Sequence, residues 1–235
     1  MPGDKLSKAM ILAAGFGTRL KPLTDTIPKP LVTYKNIPMI EIVINRLIES
    51  GIKDITINTH YLNHKIEEYL SGKKFSVKIN LINEPEILGT GGGIKNSEKY
   101  LKGSGSFLVH NVDVISEIDL SDMFEFHLRS EALSTLAVKQ RETSRPLLVD
   151  SENQLCGRIS GSKEYLYSEN RVKGKTSFTG VYILSDKVFE LFPGENYFDI
   201  VLFLLDMVKS GEKIICYDIG NTSWKDIGRI ENLNA

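Results

Sequence analysis

The stretch from Met10 to Leu31 constrains this chain more than any other part of it. A short apolar run, Met10-Ile11-Leu12-Ala13-Ala14, passes directly into Gly15-Phe16-Gly17-Thr18-Arg19, then Pro22-Leu23-Thr24 and Pro28-Lys29-Pro30-Leu31. An apolar run of this length bounded by glycine suits a strand buried on both faces of a parallel sheet, here expected over Ala9 to Ala13. Gly15 and Gly17 permit a tight turn and close approach of backbone to a ligand. Backbone N–H groups turned inward make an anion-binding concavity. Arg19 adds a planar fork that matches phosphate oxygens. Lys29, held between two prolines, has little backbone freedom and suits a fixed charge.

Two familiar phosphate loops do not fit. The dinucleotide fingerprint needs a third glycine where this chain has Leu20. The P-loop needs a glycine five residues before Gly174-Lys175-Thr176, where the chain has Glu169, and the residues from Phe178 to Leu184 read as a strand rather than a helix.

The rest of the first half alternates. Pro38 reads as a first helical position, with Ile40, Val43, Ile44, Leu47 and Ile48 on one helical face and Gly51 as the stop. A strand from Ile55 to Asn58, a helix from Leu62 to Leu70 and a strand from Val77 to Ile82 come next. This alternation predicts a doubly wound, mostly parallel (Rossmann-like) α/β sheet, which binds ligands at the carboxyl ends of its strands. Residues 1–8 read as a mobile leader. The length of 235 residues suits one large α/β domain.

A second glycine-rich stretch, Asn83-Glu84-Pro85-Glu86-Ile87-Leu88-Gly89-Thr90-Gly91-Gly92-Gly93-Ile94, reads as the N-terminus of a helix whose compatible sequence runs to Leu101. Four glycines in five residues weaken any helix or strand interior, and at a helix N-terminus they let a ligand lie against the backbone. Phe107 to Val114 reads as a buried central strand, in which Asp113, beside His110 and Asn111, is expensive unless it ends the strand or holds a cation. Beyond it lie an amphipathic helix from Leu120 to Ser130 with Ser121 as N-cap, and strands at Ser134–Lys139, Leu147–Val149, Leu155–Ile159 and Phe178–Leu184.

Composition excludes several classes. A net charge of −1 argues against a nucleic-acid binder. No apolar run reaches the roughly 18 residues of a membrane span; Tyr197 to Val208 is interrupted by Asp199 and Asp206. Cys156 and Cys216 have no metal or disulfide spacing and read as reduced cytosolic thiols. His60, His64, His110 and His127 are scattered and read as surface or packing residues.

The ordered pieces Ala13-Ala14-Gly15, Gly17-Thr18-Arg19, Pro22-Leu23-Thr24 and Pro28-Lys29-Pro30 resemble the signature of the sugar-1-phosphate nucleotidyltransferases, the nucleoside-diphosphate-sugar pyrophosphorylases. Leu88-Gly89-Thr90-Gly91-Gly92, Asn111-Val112-Asp113, Phe178-Thr179-Gly180-Val181-Tyr182 and Trp224-Lys225-Asp226-Ile227-Gly228 extend the likeness over nearly the whole chain. The resemblance implies a single domain over 1–235, with nucleotide bound by 1–120 and sugar phosphate by a mixed-sheet extension over 121–235.

It further implies Arg19 and Lys29 as catalytic cations. Ala14, Gly15, Gly17, Thr18, Glu84, Gly89, Thr90 and Gly91 would meet the nucleotide, and Asn111 and Gly180 the sugar phosphate. Asp113 and Asp226 would ligate Mg²⁺. Val112 departs from the usual glycine before the metal aspartate, and the Glu-Lys-Pro whose lysine meets the sugar phosphate is missing. Lys163, Lys173 and Lys175 are its candidate replacements, with Lys175 the one assigned to the sugar phosphate.

The substrates would be a nucleoside triphosphate and a sugar 1-phosphate, in the cytoplasm, with neither nucleic acid nor membrane as partner and with room for a homo-oligomer. The compact length and glycine run look closest to the N-acetylmuramate 1-phosphate uridylyltransferases, which favours UTP. The mannose or heptose phosphate guanylyltransferases share similar runs, and phosphocholine cytidylyltransferases share the first signature alone. A catalytically silent nucleotide-sugar sensor on the same fold is the reading from another class.

Overall fold

The computed structural model describes residues 5–167 and 172–233. Residues 1–4 of the expected leader, and Glu169 of the rejected P-loop, lie outside the described residues.

From β1 (Lys8–Leu12) the chain passes through 3-10 turns and a small hairpin, β2 (Thr33–Tyr34) and β3 (Ile37–Pro38), into helix α1 (Met39–Glu49). Then come β4 (Asp54–Thr59), α2 (Asn63–Ser71), β5 (Lys78–Asn83), α3 (Gly89–Asn96), α4 (Glu98–Leu101) and β6 (Ser106–Asn111). A short β7 (Val114–Ser116) and α5 (Leu120–Ser130) lead to the strands β8 (Ser134–Lys139), β9 (Leu147–Val149), β10 (Leu155–Ser160), β11 (Lys163–Leu166) and β12 (Gly174–Ser185). The described chain closes with α6 (Val188–Leu191), α7 (Ile200–Lys209), β13 (Ile214–Asp218), β14 (Trp224–Asp226) and α8 (Ile230–Leu233).

Strands β6, β1, β4 and β5 lie side by side, all parallel, in the order 6-1-4-5. The long β12 runs antiparallel to β6 on one edge and to β8 on the other, and its first residues also pair with β9. β9, β10 and β11 continue as antiparallel neighbours, while β13 returns parallel to β8. The result is the expected doubly wound, mostly parallel sheet with a mixed extension, and among the described residues one sheet of ten strands joins both halves.

Strand alternation divides the core into two layers. Ala9 and Ile11 of β1, Leu108 of β6 and Val181 and Ile183 of β12 face the layer covered by α1, α2 and α5. Met10, Phe107, Val109, Tyr182 and Leu184 face the layer covered by α3, α6 and α7. On α1, Ile40, Val43, Ile44 and Leu47 are buried as their spacing requires, while Ile48 is only partly so. Among the described residues no helix is long and apolar enough to cross a membrane.

Several local expectations are corrected. The leader ends earlier than residue 8, because the Ser7 carbonyl accepts hydrogen bonds from Lys53 N and Asp54 N and Lys8 already pairs with Asp54. Pro38 precedes α1 rather than opening it, since its extended ψ of 138° keeps it in the hairpin. Asp119, not Ser121, caps α5: its Oδ1 accepts from Ser121 N and Asp122 N at 3.0 Å each. The strand expected to reach Val114 stops at Asn111, and Val114 joins a separate two-stranded ribbon with Asp226. β12 begins at Gly174, four residues before the expected start.

The second glycine run opens a helix as expected, with all four glycines inside α3, and these glycines are explained by packing. A Cβ at Gly91 would lie 2.1 Å from the Phe198 ring, and one at Gly92 would lie 1.9 Å from the Asn196 carbonyl oxygen. The segment they accommodate is bound at several points. Gly91 N donates to Phe198 O (3.0 Å) and Phe198 N to Leu88 O (3.2 Å). Lys95 Nζ donates to the carbonyls of Pro193, Gly194 and Glu195 at 2.6, 3.1 and 3.1 Å. Close packing thus offsets the helix propensity lost at each glycine, about 1 kcal/mol.

Gly92→Ala should lower stability by about 1–3 kcal/mol through overpacking, read as a drop in the thermal midpoint. Gly15→Ala, whose Cβ would meet nothing within 4 Å, should leave the midpoint unchanged. Equal midpoints for the two variants would remove the packing explanation.

A second expectation concerns acid. His127 is buried with its ring nitrogens on Ser106 Oγ (3.1 Å) and Thr135 Oγ1 (2.9 Å), and burial lowers its pKa from 6.5 to about 4. Between those values the unfolded chain takes up a proton that the folded chain refuses. Stability should therefore decline as pH falls below 6.5, by up to about 1.4 kcal/mol per pH unit for this group, levelling near pH 4. Urea midpoints measured across this range should fall less steeply in His127→Gln. An unchanged slope would exclude His127 as a source of the decline.

Candidate active site

The first glycine loop is built by folding back on itself. Gly17 has a φ of +65°, and a Cβ there would lie 2.9 Å from both Lys29 Cβ and Thr24 Cγ2. Thr24 Oγ1 donates to Gly17 O at 2.9 Å, and Leu20 is fully buried as the loop's anchor. The loop's start is thereby seated on the stem of Lys29. Gly15 has open space where a side chain would be and borders a cavity of about 260 Å³.

That cavity lies at the carboxyl ends of β1 and β6. Leu12, Ala14, Gly15, Arg19 and Lys29 line it from the first loop, Ile87, Gly89 and Thr90 from the start of α3, and Asn111 and Asp113 from the end of β6. Gly17, Thr18 and Gly91 are not among its lining residues. Gly91 is instead covered by Phe198, so its expected meeting with the nucleotide has no free surface in this arrangement. Thr90 lines the cavity while its Oγ1 accepts from Ile200 N at 3.0 Å, which ties α3 to α7.

A polar pair, of which only Glu84 is expected from the sequence, fixes the two glycine segments together. Asn58, at the end of β4, accepts from Ala13 N through Oδ1 (2.9 Å) and donates through Nδ2 to Glu84 Oε1 (2.7 Å). Glu84 Oε2 accepts from Leu88 N at 3.2 Å. Burial raises the Glu84 pKa, against the hydrogen bonds from Asn58 and Leu88. Both its oxygens are engaged inside the protein, so the carboxyl braces the cavity wall. His60 Nδ1 contacts the Glu84 carbonyl at 2.7 Å, consistent with a packing histidine.

At the other end of the cavity four charges converge. Lys29 Nζ lies 2.6 Å from Asp113 Oδ2. Arg19 spans both carboxylates, with Nη2 3.4 Å from Asp113 Oδ2 and Nη1 3.7 Å from Asp226 Oδ2. Burial raises the pKa of Asp113, but Lys29 and Arg19 outweigh it and hold the carboxyl below its ordinary value. The aspartates meet because β14 pairs antiparallel with β7, setting Asp226 opposite Val114, and because Ile227 N donates to Asp113 O at 2.8 Å. Gly228 permits the junction: a Cβ there would lie 2.2 Å from Asp113 Oδ2 and 3.0 Å from Asp226 Oδ1. Val112, the departure from the usual glycine, is buried in the apolar core.

This donor set fits Mg²⁺. Asp113 Oδ2 and Asp226 Oδ1 border one shared space, and both are hard oxygen donors. Among the described residues no cluster of three or more His, Cys, Asp or Glu side chains could enclose a metal, so phosphate and water oxygens would complete the shell, as Mg²⁺ commonly requires.

The expected acceptor residues are distributed differently. Asn111 lines the cavity. Gly180 has a φ of +87°, and a Cβ there would lie 2.6 Å from Asn111 Nδ2, so the space is already used by that amide. Lys163, Lys173 and Lys175 are exposed; Lys175 pairs with Leu148 in the β12–β9 ribbon, and among the described residues no contact links its ammonium to either aspartate. Arg141, which no sequence motif singled out, is better placed. Its guanidinium lies 4.6 Å over the Trp224 ring, and its Nη2 donates to Phe178 O at 3.1 Å. Burial lowers its pKa while the charge of Asp226 opposes the shift. Only its distance from Trp224 reveals it.

Known proteins resemble this chain in sequence and in fold. The mannose-1-phosphate guanyltransferase of Yarrowia lipolytica is 35% identical over 189 residues, covering 78% of this chain and 51% of that protein. The UTP–glucose-1-phosphate uridylyltransferase of Synechocystis is 29% identical over 239 residues, covering 95% of this chain and 60% of that protein. The chain thus spans about half to three-fifths of the length of these relatives. The crystal structure of HddC from Yersinia pseudotuberculosis complexed with GMP-PN superposes with a TM-score of 0.79 at 26% identity, covering 97% of each chain. Neither of the two sequence relatives is named as an N-acetylmuramate 1-phosphate enzyme. The nucleotidyl transferase family model matches residues 8–235, a span that holds the glycine loop, the glycine helix and both aspartates, and the chain belongs to that family.

Proposed function

We propose that this chain is an enzyme that transfers a nucleotidyl group from a nucleoside triphosphate to a sugar 1-phosphate, releasing pyrophosphate. The observation that carries the reading is the junction of Arg19, Lys29, Asp113 and Asp226 at the edge of a cavity bordered by two glycine segments. The acceptor phosphate attacks the α-phosphorus. It is already ionised at neutral pH, so no general base is needed, and catalysis rests on alignment and charge neutralisation.

Arg19, half exposed, offers its fork to the triphosphate and the leaving pyrophosphate. Lys29, largely buried and fixed by the Gly17 turn, presents a point charge between the α-phosphate and the acceptor phosphate. Arg141 takes the place of the missing Glu-Lys-Pro lysine at the acceptor side. Asp113 and Asp226 would hold Mg²⁺, which supplies charge neutralisation at the phosphate oxygens.

The relatives move the favoured donor from UTP to GTP, since the guanyltransferases match at the higher identity and HddC was solved with GMP-PN. The uridylyl reading keeps one specific support, the Synechocystis enzyme, whose match covers more of this chain. A panel of nucleoside triphosphates against mannose, glucose, heptose and N-acetylmuramate 1-phosphates, read by pyrophosphate release with and without Mg²⁺, separates these readings. Turnover is expected with GTP and to depend on Mg²⁺. Nucleotide binding with no turnover across the panel would establish the silent sensor instead.

Arg19→Ala should reduce turnover about a hundredfold or more, as loss of one charge-stabilising donor does. Arg19→Lys should recover little of it, because an ammonium cannot span both phosphate oxygens. Near-parental turnover in Arg19→Lys would exclude the bidentate role.

Asp113→Asn and Asp226→Asn should each raise the Mg²⁺ concentration needed for half-maximal rate. The double variant should lose little more than the worse single one, since both act on one ion. Additive losses, or an Asp226→Asn enzyme with parental Mg²⁺ dependence, would show that Asp226 serves only its hydrogen bond to Gly228 N.

A further inference from the structure

A second cavity, of about 210 Å³, lies beyond Trp224, and three arginines line it: Arg141, Arg145 and Arg158. It adjoins the acceptor side of the site through a single strand. Phe178 of β12 lines this cavity and accepts from Arg141 Nη2 through its carbonyl. Thr179 O accepts from Trp224 Nε1 at 3.0 Å. Gly180 then packs on Asn111, which lines the main cavity. Phe178 and Gly180 are two residues apart, roughly 7 Å along a strand.

The charges in the second cavity are out of balance. Arg158, whose side chain is 11% exposed, has among the described residues one carboxylate partner, Asp199 Oδ1 at 3.4 Å. That same oxygen already accepts from Val201 N (2.9 Å) and Leu202 N (3.1 Å) as the cap of α7. Among the described residues neither Arg141 nor Arg145 has an ion pair within 4.0 Å. A largely buried guanidinium that shares the Asp199 carboxylate with a helix cap, next to two further guanidiniums, favours an anionic occupant. Two buried hydroxyls without a hydrogen-bond partner, Thr176 Oγ1 and Tyr182 Oη, sit in the same strand. Thr176 pairs with Leu147, which lines the cavity, and the Tyr182 ring meets Phe178. Native structures leave few such groups unsatisfied.

We infer that the acceptor is a sugar 1-phosphate bearing a second anionic substituent, a carboxylate or a phosphate, and that Arg145 and Arg158 hold that substituent while Arg141 stands between the two anions. The inference rests on the nucleotidyl-transfer reading above.

The test uses the full chain, Mg²⁺ and the best triphosphate, with three acceptors that differ only in the second group: glucose 1-phosphate, glucuronic acid 1-phosphate and glucose 1,6-bisphosphate. The expected result is a kcat/KM at least tenfold higher for one or both of the charged acceptors, and the preferred one identifies carboxylate or phosphate. Arg145→Ala, at an exposed position, should abolish the preference and leave turnover of glucose 1-phosphate unchanged, while Arg145→Lys should restore part of it. Arg158→Gln should do the same as Arg145→Ala. Equal kcat/KM for neutral and charged acceptors, or equal losses on all three in the Arg145→Ala enzyme, would overturn the inference.

Calorimetric titration with the same three sugars, in the presence of Mg²⁺, separates this outcome from failure of the transfer reading. If no acceptor is turned over, tighter binding of a charged acceptor that vanishes in Arg145→Ala still supports the anion site, and equal binding of all three still overturns it.

Discussion

The contact between Lys29 and Asp113, 2.6 Å long and mostly out of water, is the interaction on which the rest of the site depends. It joins the end of the first glycine loop to the segment that leaves β6. Arg19 extends it to Asp226 and so to the C-terminal ribbon. Three segments far apart in the chain are therefore held by one charge cluster. Removing one member of such a buried pair leaves its partner uncompensated, at a typical cost of about 3–5 kcal/mol. The cluster is balanced, with two cations facing two carboxylates. An incoming polyphosphate would compete for the cations, and a divalent ion would take over the carboxylates.

The glycines serve this cluster chiefly by allowing close approach. Gly17 makes room for the stem of Lys29, and Gly228 makes room for Asp113 and Asp226 to meet. In α3, Gly91 and Gly92 admit the segment from Asn196 to Phe198, and Lys95 holds the three carbonyls just before it. That segment leads directly into α7, whose cap, Asp199, also partners Arg158. The nucleotide-side helix and the arginine-lined cavity are therefore joined through one short stretch of chain. Among the glycines expected to face a ligand, Gly15 and Gly89 line the cavity, and only Gly15 leaves open space where a side chain would stand.

Much of the fold is legible in the sequence because it obeys local rules. The alternation of Ala9, Met10 and Ile11 between two core layers, and the stripe of Ile40, Val43, Ile44 and Leu47, come from the fixed periods of strand and helix. The errors fall where a local signal has two solutions. Phe107 to Val114 suits a single strand throughout, yet the ladder with β1 ends at Asn111 and the next residues turn toward another partner. The second glycine run reads as a helix N-terminus rather than a helix interior, because glycine disfavours helix. That preference is reversed by the segment from Asn196 to Phe198, far away in the sequence.

The sequence by itself determined the alternation of strands and helices in the first half of the chain and membership of a family whose signature is a contiguous run of residues. A contiguous signature is readable because its residues constrain one another through the backbone they share. Only the tertiary structure decided that Asn58 and Glu84 brace the cavity, that the space at Gly180 is filled by the Asn111 amide, and that Arg141 lies over Trp224. Each of these depends on strand register and on the close packing of segments distant in the chain. A change of one residue in register would turn those side chains to the opposite face of the sheet, and nothing in their sequence spacing records which face they take.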